Sequence, residues 1–368
     1  MKQLKSKTHL ENILAKMHKR KYCIVTSRAT TALYLAMKTI DVSHKKVIIP
    51  SAVCMSPVNA ILYAQGQPLF CDVSLRDFNI ELKALDKLLQ SNINIRALVL
   101  PHLYGRSTNI SKILTLLKKH SVLLIEDVAQ ALGGIYNKEP YGSFGDISIL
   151  SFGHTKIIDV GSGGAILFDK DSYYPKLQSL INGLSGKSKS FNELQNSYSK
   201  IYYGLQVLTG DNRGFKRLYY AFPHIYKDLY LYKCDTPLVY ENIINKLKHL
   251  SSIVAQRNES ASWYHEFLQH ERIAAPKPNP DNACWRYSFL LHSNYKRAIV
   301  ENIRKRNIHI SNWYPPVHLF YELNPPRLPN SEFLGSHICN LWVDGTYSKN
   351  DIKKICNYIK KEIDKNNE

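Results

Sequence analysis

From the start of the chain to about residue 170, short apolar runs alternate with segments of helical period, and this alternation narrows the fold more than any other feature. "YCIVTS" at 22–27 reads as a strand, and "ATTALYLAMKTI" behind it as a helix whose apolar positions recur near every 3.6 residues. "KVIIPS", "PLFCDVS", "RALVLPHLYG", "VLLIEDVA", "ISILSFG" and "GAILF" follow as strand candidates, with helical stretches such as "SPVNAILYAQG" and "NISKILTLLKKH" between several of them. Strands that alternate with helices build a mostly parallel sheet covered by helices on both faces, so the expected class is α/β. In such sheets ligands sit in the loops beyond the C-terminal ends of the strands.

Residues 183 to 235 change character. "SKIYYGLQVLTGDNRGFKRLYYAFPHIYKDLYLYK" is dense in tyrosine and lysine. A long helical pattern then runs from about Tyr240 to Gln269. "RYSFLLH" and "ICNLWVD" read as strands, "YKRAIVENIRKRNI" as a helix, and "SKNDIKKICNYIKKEIDK" as a closing helix opened by a Ser/Asp cap. The sequence thus predicts a large domain over 1–235 and a smaller C-terminal α+β domain over 236–368.

Composition sharpens the class. With 44% hydrophobic residues, 368 residues bury a substantial core. No run of about 18 uncharged apolar residues suggests a spanning helix, and the N-terminus lacks a signal-peptide pattern. The seven cysteines are scattered without a CxxC pair, which supports neither a disulfide framework nor a zinc site, so no metal is expected and the expected compartment is the cytoplasm. The net charge of +19 has two readings, attraction to anionic partners or a compositional habit of a sequence rich in Lys, Asn, Ile and Tyr. The second is preferred, and no nucleic-acid-binding motif accompanies the charge.

One lysine, Lys156, stands between two apolar runs in "SFGHTKIIDVGSGGAILF". Nearby, "LLIEDVAQALGG" ends a strand with two acids, Glu126 and Asp127, and "TSRATTAL" turns from strand into helix with free backbone N–H groups, a setting that suits phosphate. Ser151 adds a hydroxyl. A phosphate cradle, a carboxylate and a lysine at the lips of a sheet are the parts that hold pyridoxal phosphate. The lysine forms the Schiff base, and the acid keeps the pyridine nitrogen protonated.

"EDVAQALGG…YGSFGDISILSFGHTKIIDVGSGGAIL" resembles the signature of the DegT/StrS-type sugar aminotransferases. "VIIPSAVCMSPVNAIL", "FCDVSLRDFNIE", "PHLYGRSTNI", "HISNWYPPVHLF" and "LPNSEFLGSHICNLWVDGTYSKNDIKKI" sit in that family's order, and the resemblance spans nearly the whole chain outside about 185–240. It implies a type I aminotransferase fold and a homodimer. The substrates would be a nucleotide-linked keto sugar and, as usual amino donor, glutamate, in cell-surface polysaccharide or natural-product synthesis. On that resemblance Lys156 is the catalytic lysine, Asp127 pairs with the pyridinium, and Gln130 lies near the ring's 3-hydroxyl. Ala29 and Thr30 hold the phosphate with Ser151. His102, Tyr104, His154, Tyr314 and His318 are the weaker substrate-side candidates.

The chain departs from the family pattern in three places. Cys54 stands where relatives carry a ring-stacking aromatic residue. "LYKCDT" replaces a loop whose Asn reaches the partner's cofactor phosphate. His154 replaces a Pro or Ser. The Tyr/Lys-rich stretch of about 185–233 has two readings, contact with an anionic membrane surface or a segment packed on the protein. Rival functions are a catalytically silent ligand- or membrane-binding relative and a sugar dehydratase, in which the lysine would be a histidine.

Overall fold

A computed structural model describes all residues except 1, 107, 189, 210–226, 234–236 and 366–368. Seven strands form the central sheet: β1 (Tyr22–Thr26), β2 (Lys46–Pro50), β3 (Gln67–Cys71), β4 (Ile95–Pro101), β5 (Leu123–Asp127), β6 (Ile147–Ser151) and β7 (Gly164–Phe168). Their order is β1-β7-β6-β5-β4-β2-β3. Strands β2 to β6 run parallel, and β7 is antiparallel to both its neighbours. Every residue of β6 and β7 is buried, which is why both read as unbroken apolar runs rather than alternating ones.

The two faces of the sheet feed different cores. Val47 and Ile49 point into the larger cluster and Ile48 between them into the opposite one, as the two-residue period of a strand requires. Helix α1 (Lys2–Met17) contributes Leu10 and Leu14, and α2 (Ala29–Ile40) contributes Ala32, Leu33 and Ala36, to the first face. Helix α3 (Met55–Tyr63) adds Val58, Ala60 and Ile61 to the same face, while on the second face α4 (Leu82–Ser91) and α5 (Ile110–Lys119) supply Leu85, Leu89, Ile113 and Leu117.

A second sheet of four short antiparallel strands, Ile273–Ala274, Tyr287–Leu291, Ile338–Leu341 and Ile310–Ser311 in spatial order, carries its own core. Ile352, Ile355, Ile359 and Ile363 of the last helix (Lys349–Lys365) fill it at helical spacing. That helix opens on a reciprocal cap, Asp351 N donating to Ser348 Oγ at 3.2 Å and Ser348 N to Asp351 Oδ2 at 3.1 Å.

One element differs from the sequence reading. The long helix expected over Tyr240 to Gln269 is two helices, Pro237–Leu247 and Leu250–Phe267, parted at Lys248 and His249. They serve different cores: Tyr240 and Ile243 join the larger one, Ala261 and Tyr264 the smaller. The larger core therefore draws on residues from both sides of position 235, including Trp285, Tyr314 and Val317.

The described part of the Tyr/Lys-rich stretch packs on its own chain. Phe191, at the start of α6 (Phe191–Thr209 as labelled here), clusters with Leu229 and Tyr232. Residues 210–226 and the "CDT" of "LYKCDT" lie outside the described residues. Among the described residues no helix is long and apolar enough to cross a membrane.

Candidate active site

A cavity of about 460 Å³ opens at the C-terminal ends of the parallel strands. The end of β4 brings His102 to it, β5 Asp127 and β6 Ser151. The start of α2 closes one side, and Trp285, Arg286 and Tyr314 of the second unit close another.

The lysine loop joins β6 to β7, two neighbouring antiparallel strands, so its two ends are fixed side by side by the ladder pair Ser151 and Gly164, with only residues 152–163 between them. Asp159 folds it by accepting from Thr155 N at 2.7 Å and Gly161 N at 2.9 Å, while Ile157 and Ile158 are buried beneath. The glycines have a steric role. Gly163 has φ +102°, a left-handed conformation that a side chain strains, and its N–H donates to Ser27 O at 2.8 Å. A Cβ on Gly164 would lie 2.5 Å from the Arg28 carbonyl carbon and 2.6 Å from Ala29 N. The GSGG turn thereby lets the lysine loop lie against the first turn of α2.

Lys156 lines the cavity, and its amine makes no hydrogen bond or ion pair among the described residues. Burial pushes its pKa below the ordinary lysine value, opposed by the nearby Cys54 and Asp127 and reinforced by the charge of Arg286. Asp127 is buried, and burial pushes its carboxyl above the usual carboxylate value, against the Ala129 N–H and the charges of Lys156 and His102. Only Oδ1 has a hydrogen-bond donor among the described residues, Ala129 N at 2.9 Å. A buried carboxylate with a spare oxygen and a half-buried amine in one cavity are both short of a partner.

The start of α2 is short of partners too. Its N-cap is Arg28, whose side chain makes no cap hydrogen bond, so the N–H groups of Ala29 and Thr30 are left for a ligand. Ser151 faces the same cavity. These groups fit pyridoxal phosphate: an uncapped helix start for the phosphate, Asp127 for the ring nitrogen and Lys156 for the aldehyde.

Gln130 is held with its amide orientation fixed, since Oε1 accepts from Tyr104 N at 2.7 Å and Nε2 donates to the Tyr314 hydroxyl. Cys54 lines the cavity as the N-cap of α3, its sulfur 3.5 Å from Ser56 Oγ. His154 lies at the mouth with its side chain 78% exposed, and Tyr314 lies in the wall. His102 also reaches the wall, yet its Nε2 is 2.8 Å from Glu126 Oε1 and its ring stacks on Tyr141 at 4.2 Å.

Two expected substrate contacts are placed elsewhere. Tyr104 is fully buried behind the wall, because its hydroxyl is used by Trp313 O at 2.9 Å and Tyr314 N at 3.2 Å. His318 is fully buried beside Ser51 Oγ, and packing against Phe70 keeps it out of the cavity. Sequence reasoning missed Arg286 and the tryptophans around it, whose one signal is the adjacent Trp-Arg pair at a strand start. It also missed Tyr198 and Tyr230, which line the cavity from the Tyr/Lys-rich stretch. Tyr230 O accepts from Thr31 Oγ1, and Tyr232 O from Ser27 Oγ at 2.6 Å, which fastens the stretch to the helix start.

The model of the DegT/DnrJ/EryC1/StrS aminotransferase family matches residues 2–207 and 243–360. The chain is 33% identical over 161 residues to GDP-perosamine synthase of Caulobacter vibrioides, a match that covers 44% of this chain and 43% of that protein. The chain thus aligns with less than half the length of the first curated relatives. It is 25% identical over 340 residues to dTDP-3-amino-3,6-dideoxy-alpha-D-galactopyranose transaminase of Aneurinibacillus thermoaerophilus, covering 91% of this chain and 84% of the other. Among solved structures, Helicobacter pylori PseC, an aminotransferase involved in the biosynthesis of pseudoaminic acid, superposes with a TM-score of 0.78 at 20% identity, covering 98% of this chain and 91% of that one. The α/β class expected from the alternating pattern and the aminotransferase fold implied by the resemblance are both met, and the chain belongs to the DegT/DnrJ/EryC1/StrS aminotransferase family.

Proposed function

We propose that the protein is a pyridoxal-phosphate-dependent aminotransferase that moves an amino group from an amino acid, glutamate by preference, to the keto group of a nucleotide-linked sugar. The observation that carries this reading is the convergence of Lys156 and Asp127 on one cavity beside the uncapped start of α2. The names of the relatives support the substrate class, since those quoted act on nucleotide-linked sugars.

Pyridoxal phosphate, when bound, supplies an electrophilic carbon and an electron sink. Lys156, with its pKa lowered by burial, presents a larger neutral fraction at Nζ than a surface lysine does, and so can both attack a carbonyl and carry a proton. Asp127 would keep the pyridine nitrogen protonated, and Ala29 N, Thr30 N and Ser151 Oγ would hold the phosphate. Gln130, locked by Tyr104 and Tyr314, would meet the ring, and Tyr198 and Tyr230 line the same cavity.

Cys54 offers a smaller, polarizable surface where relatives place an aromatic ring. The same reading has the enzyme working as a homodimer in the cytoplasm, with a division near residue 235 between its two units. In the described part of the Tyr/Lys-rich stretch, the bonds of Tyr230 O and Tyr232 O to Thr31 and Ser27 and the Phe191–Leu229–Tyr232 cluster favour packing over membrane contact.

The test is spectroscopic. The purified protein is mixed with pyridoxal phosphate, reduced with borohydride and peptide-mapped. The expected outcome is a covalent label on Lys156 that is absent from Lys156→Ala, whose circular dichroism stays that of the parent. Addition of glutamate before reduction should remove the visible absorbance and the label. A label on another lysine, or amino transfer by Lys156→Ala, would overturn the assignment.

A further inference from the structure

Outside the lysine cavity, the smaller unit carries a second cleft, lined by Ser262, His265, Glu266, Lys277 and Pro278. The larger unit sends a buried cation to its edge. Arg106 follows the turn at the end of β4, is 4% exposed, and lies with Nη1 3.4 Å from Lys277 O. The turn before it rests directly on the smaller unit, since Ala283 N donates to Gly105 O at 3.1 Å and Trp285 N to Tyr104 O at 3.2 Å. Gly105 has φ +81°, and a Cβ there would overlap the Ala283 carbonyl, so glycine is what allows the approach that places Arg106.

The guanidinium is short of partners. Its long bond to Lys277 O is the one hydrogen bond it makes among the described residues, so Nη2 is unused and Nε is buried without a partner. No carboxylate lies within 4 Å of it among the described residues. Its neighbours add basic groups instead of cancelling the charge. Lys277 Nζ makes no hydrogen bond or ion pair among the described residues, and neither does His265 Nε2, since the Tyr287 hydroxyl lies at 3.4 Å on the Nδ1 side of that ring. Burial lowers the His265 pKa, and the charges of Arg106 and Lys277 lower it further, which places both near the ring. Glu266 is the one acid in the lining and pairs with no cation among the described residues. Three basic groups thus face one acid, and a cation taken out of water is costly unless an anion meets it.

We propose that this cleft is an anion site, separate from the cofactor cavity, in which Arg106, His265 and Lys277 hold a phosphate-type oxyanion between the two units. Its donors would be Arg106 Nη2, His265 Nε2 and Lys277 Nζ. They come from three segments of chain: the turn after β4, helix Leu250–Phe267, and the loop after strand Ile273–Ala274. Single donors from three segments suit a tetrahedral phosphate, whose oxygens point several ways, better than a planar carboxylate, which takes a paired fork on one edge. Occupancy would also bear on the cavity. Tyr104 N, two residues before Arg106, holds Gln130 Oε1 at 2.7 Å, so an anion that ties Arg106 to the smaller unit braces the turn that positions Gln130.

The experiment titrates inorganic phosphate by calorimetry at constant ionic strength. The protein is first loaded with pyridoxal phosphate and reduced with borohydride, which fills the other phosphate cradle. The parent is compared with Arg106→Met, Lys277→Gln and Lys170→Gln, the last an exposed lysine just beyond β7, at the opposite end of the central sheet. Phosphate affinity should fall about tenfold or more in Arg106→Met and about threefold in Lys277→Gln, as charged hydrogen bonds are lost, and hold in Lys170→Gln. Should Arg106→Met fail to fold, Lys277→Gln and His265→Gln decide. No phosphate binding by the parent, parent-level binding in the folded cleft variants, or an equal loss in Lys170→Gln, the mark of net charge alone, would each overturn the proposal. Failure to capture pyridoxal phosphate would instead sink the aminotransferase reading. The same variants titrated without cofactor would still test the cleft, because the cradle at the start of α2 is unchanged in all of them.

Discussion

Burial lowers the pKa of Lys156, and the charges around it modulate that shift with opposite signs from two sides of the cavity. Asp127 raises its pKa and Arg286 lowers it, while burial dominates both. The neutral amine is the reactive form, so labelling of Nζ should rise with pH through a midpoint below that of an ordinary lysine. Removing the negative charge in Asp127→Asn should move that midpoint to still lower pH. Removing the positive charge in Arg286→Met should move it higher. Acylation of cofactor-free protein at a series of pH values, read at the Lys156 peptide by mass spectrometry, checks both, and shifts of the same sign in the two variants would contradict this arrangement. Asp127 was legible as an acid that ends an apolar strand, and Lys156 as a lone lysine between two apolar runs. Arg286 was not. Its place in the wall is set beside Trp342 and Asp344, which only the fold brings near.

At the scale of the element, the end of β5 shows how two adjacent acids divide their work. Asp127 faces the cavity, while Glu126, on the opposite side of the strand, is fully buried. It accepts from Gly142 N at 2.6 Å, Phe144 N at 2.9 Å and Gly145 N at 3.0 Å, as well as from Ser148 Oγ at 3.2 Å and from His102. Burial raises its pKa, but the hydrogen bond and charge of His102 with the Gly142 and Phe144 N–H groups outweigh it, and the net shift is downward. "YGSFGD" is therefore a loop wrapped around a carboxylate. Glu126→Gln puts an amide N–H against those donors and should cost about 3 kcal/mol or more, the range for breaking a buried charged network. A depressed carboxyl stabilises above its unfolded pKa, and that contribution is lost as pH falls through the folded value. The gap between parent and variant in urea unfolding should accordingly narrow on acidification below the ordinary glutamate pKa, and a gap independent of pH would contradict the account. The seven central strands were readable from apolar runs. Ile273–Ala274 and Ile310–Ser311 were not, because two residues show no periodicity, and the break at Lys248 and His249 carries no Gly or Pro to announce it.

At the scale of the molecule, the two sheets meet at the cavity through specific ties. Trp285 Nε1 donates to Thr155 O at 2.6 Å in the lysine loop, Tyr104 OH to Trp313 O at 2.9 Å, and Val317 N to Ser51 O at 2.9 Å. The class of fold was legible in the alternation of strand and helix. How closely the smaller unit is bound to the larger was not, because these ties pair residues with no local pattern in common. With Trp285, Tyr314 and Val317 inside the larger core, separating the units would expose apolar surface as well as break hydrogen bonds, which favours one cooperative transition. The tryptophans make this measurable: Trp285, Trp313 and Trp342 line the cavity and Trp263 packs on the smaller core, while far-ultraviolet circular dichroism follows the whole chain. The two signals should melt together. A ligand that binds only the folded state stabilises it by about 2.7 kcal/mol at a hundred times its Kd, so pyridoxal phosphate at that excess should raise both midpoints equally. A dichroism midpoint that rises while the fluorescence midpoint stays would mean that the smaller unit unfolds by itself, and that the ties at the lysine loop do not couple it to the cofactor.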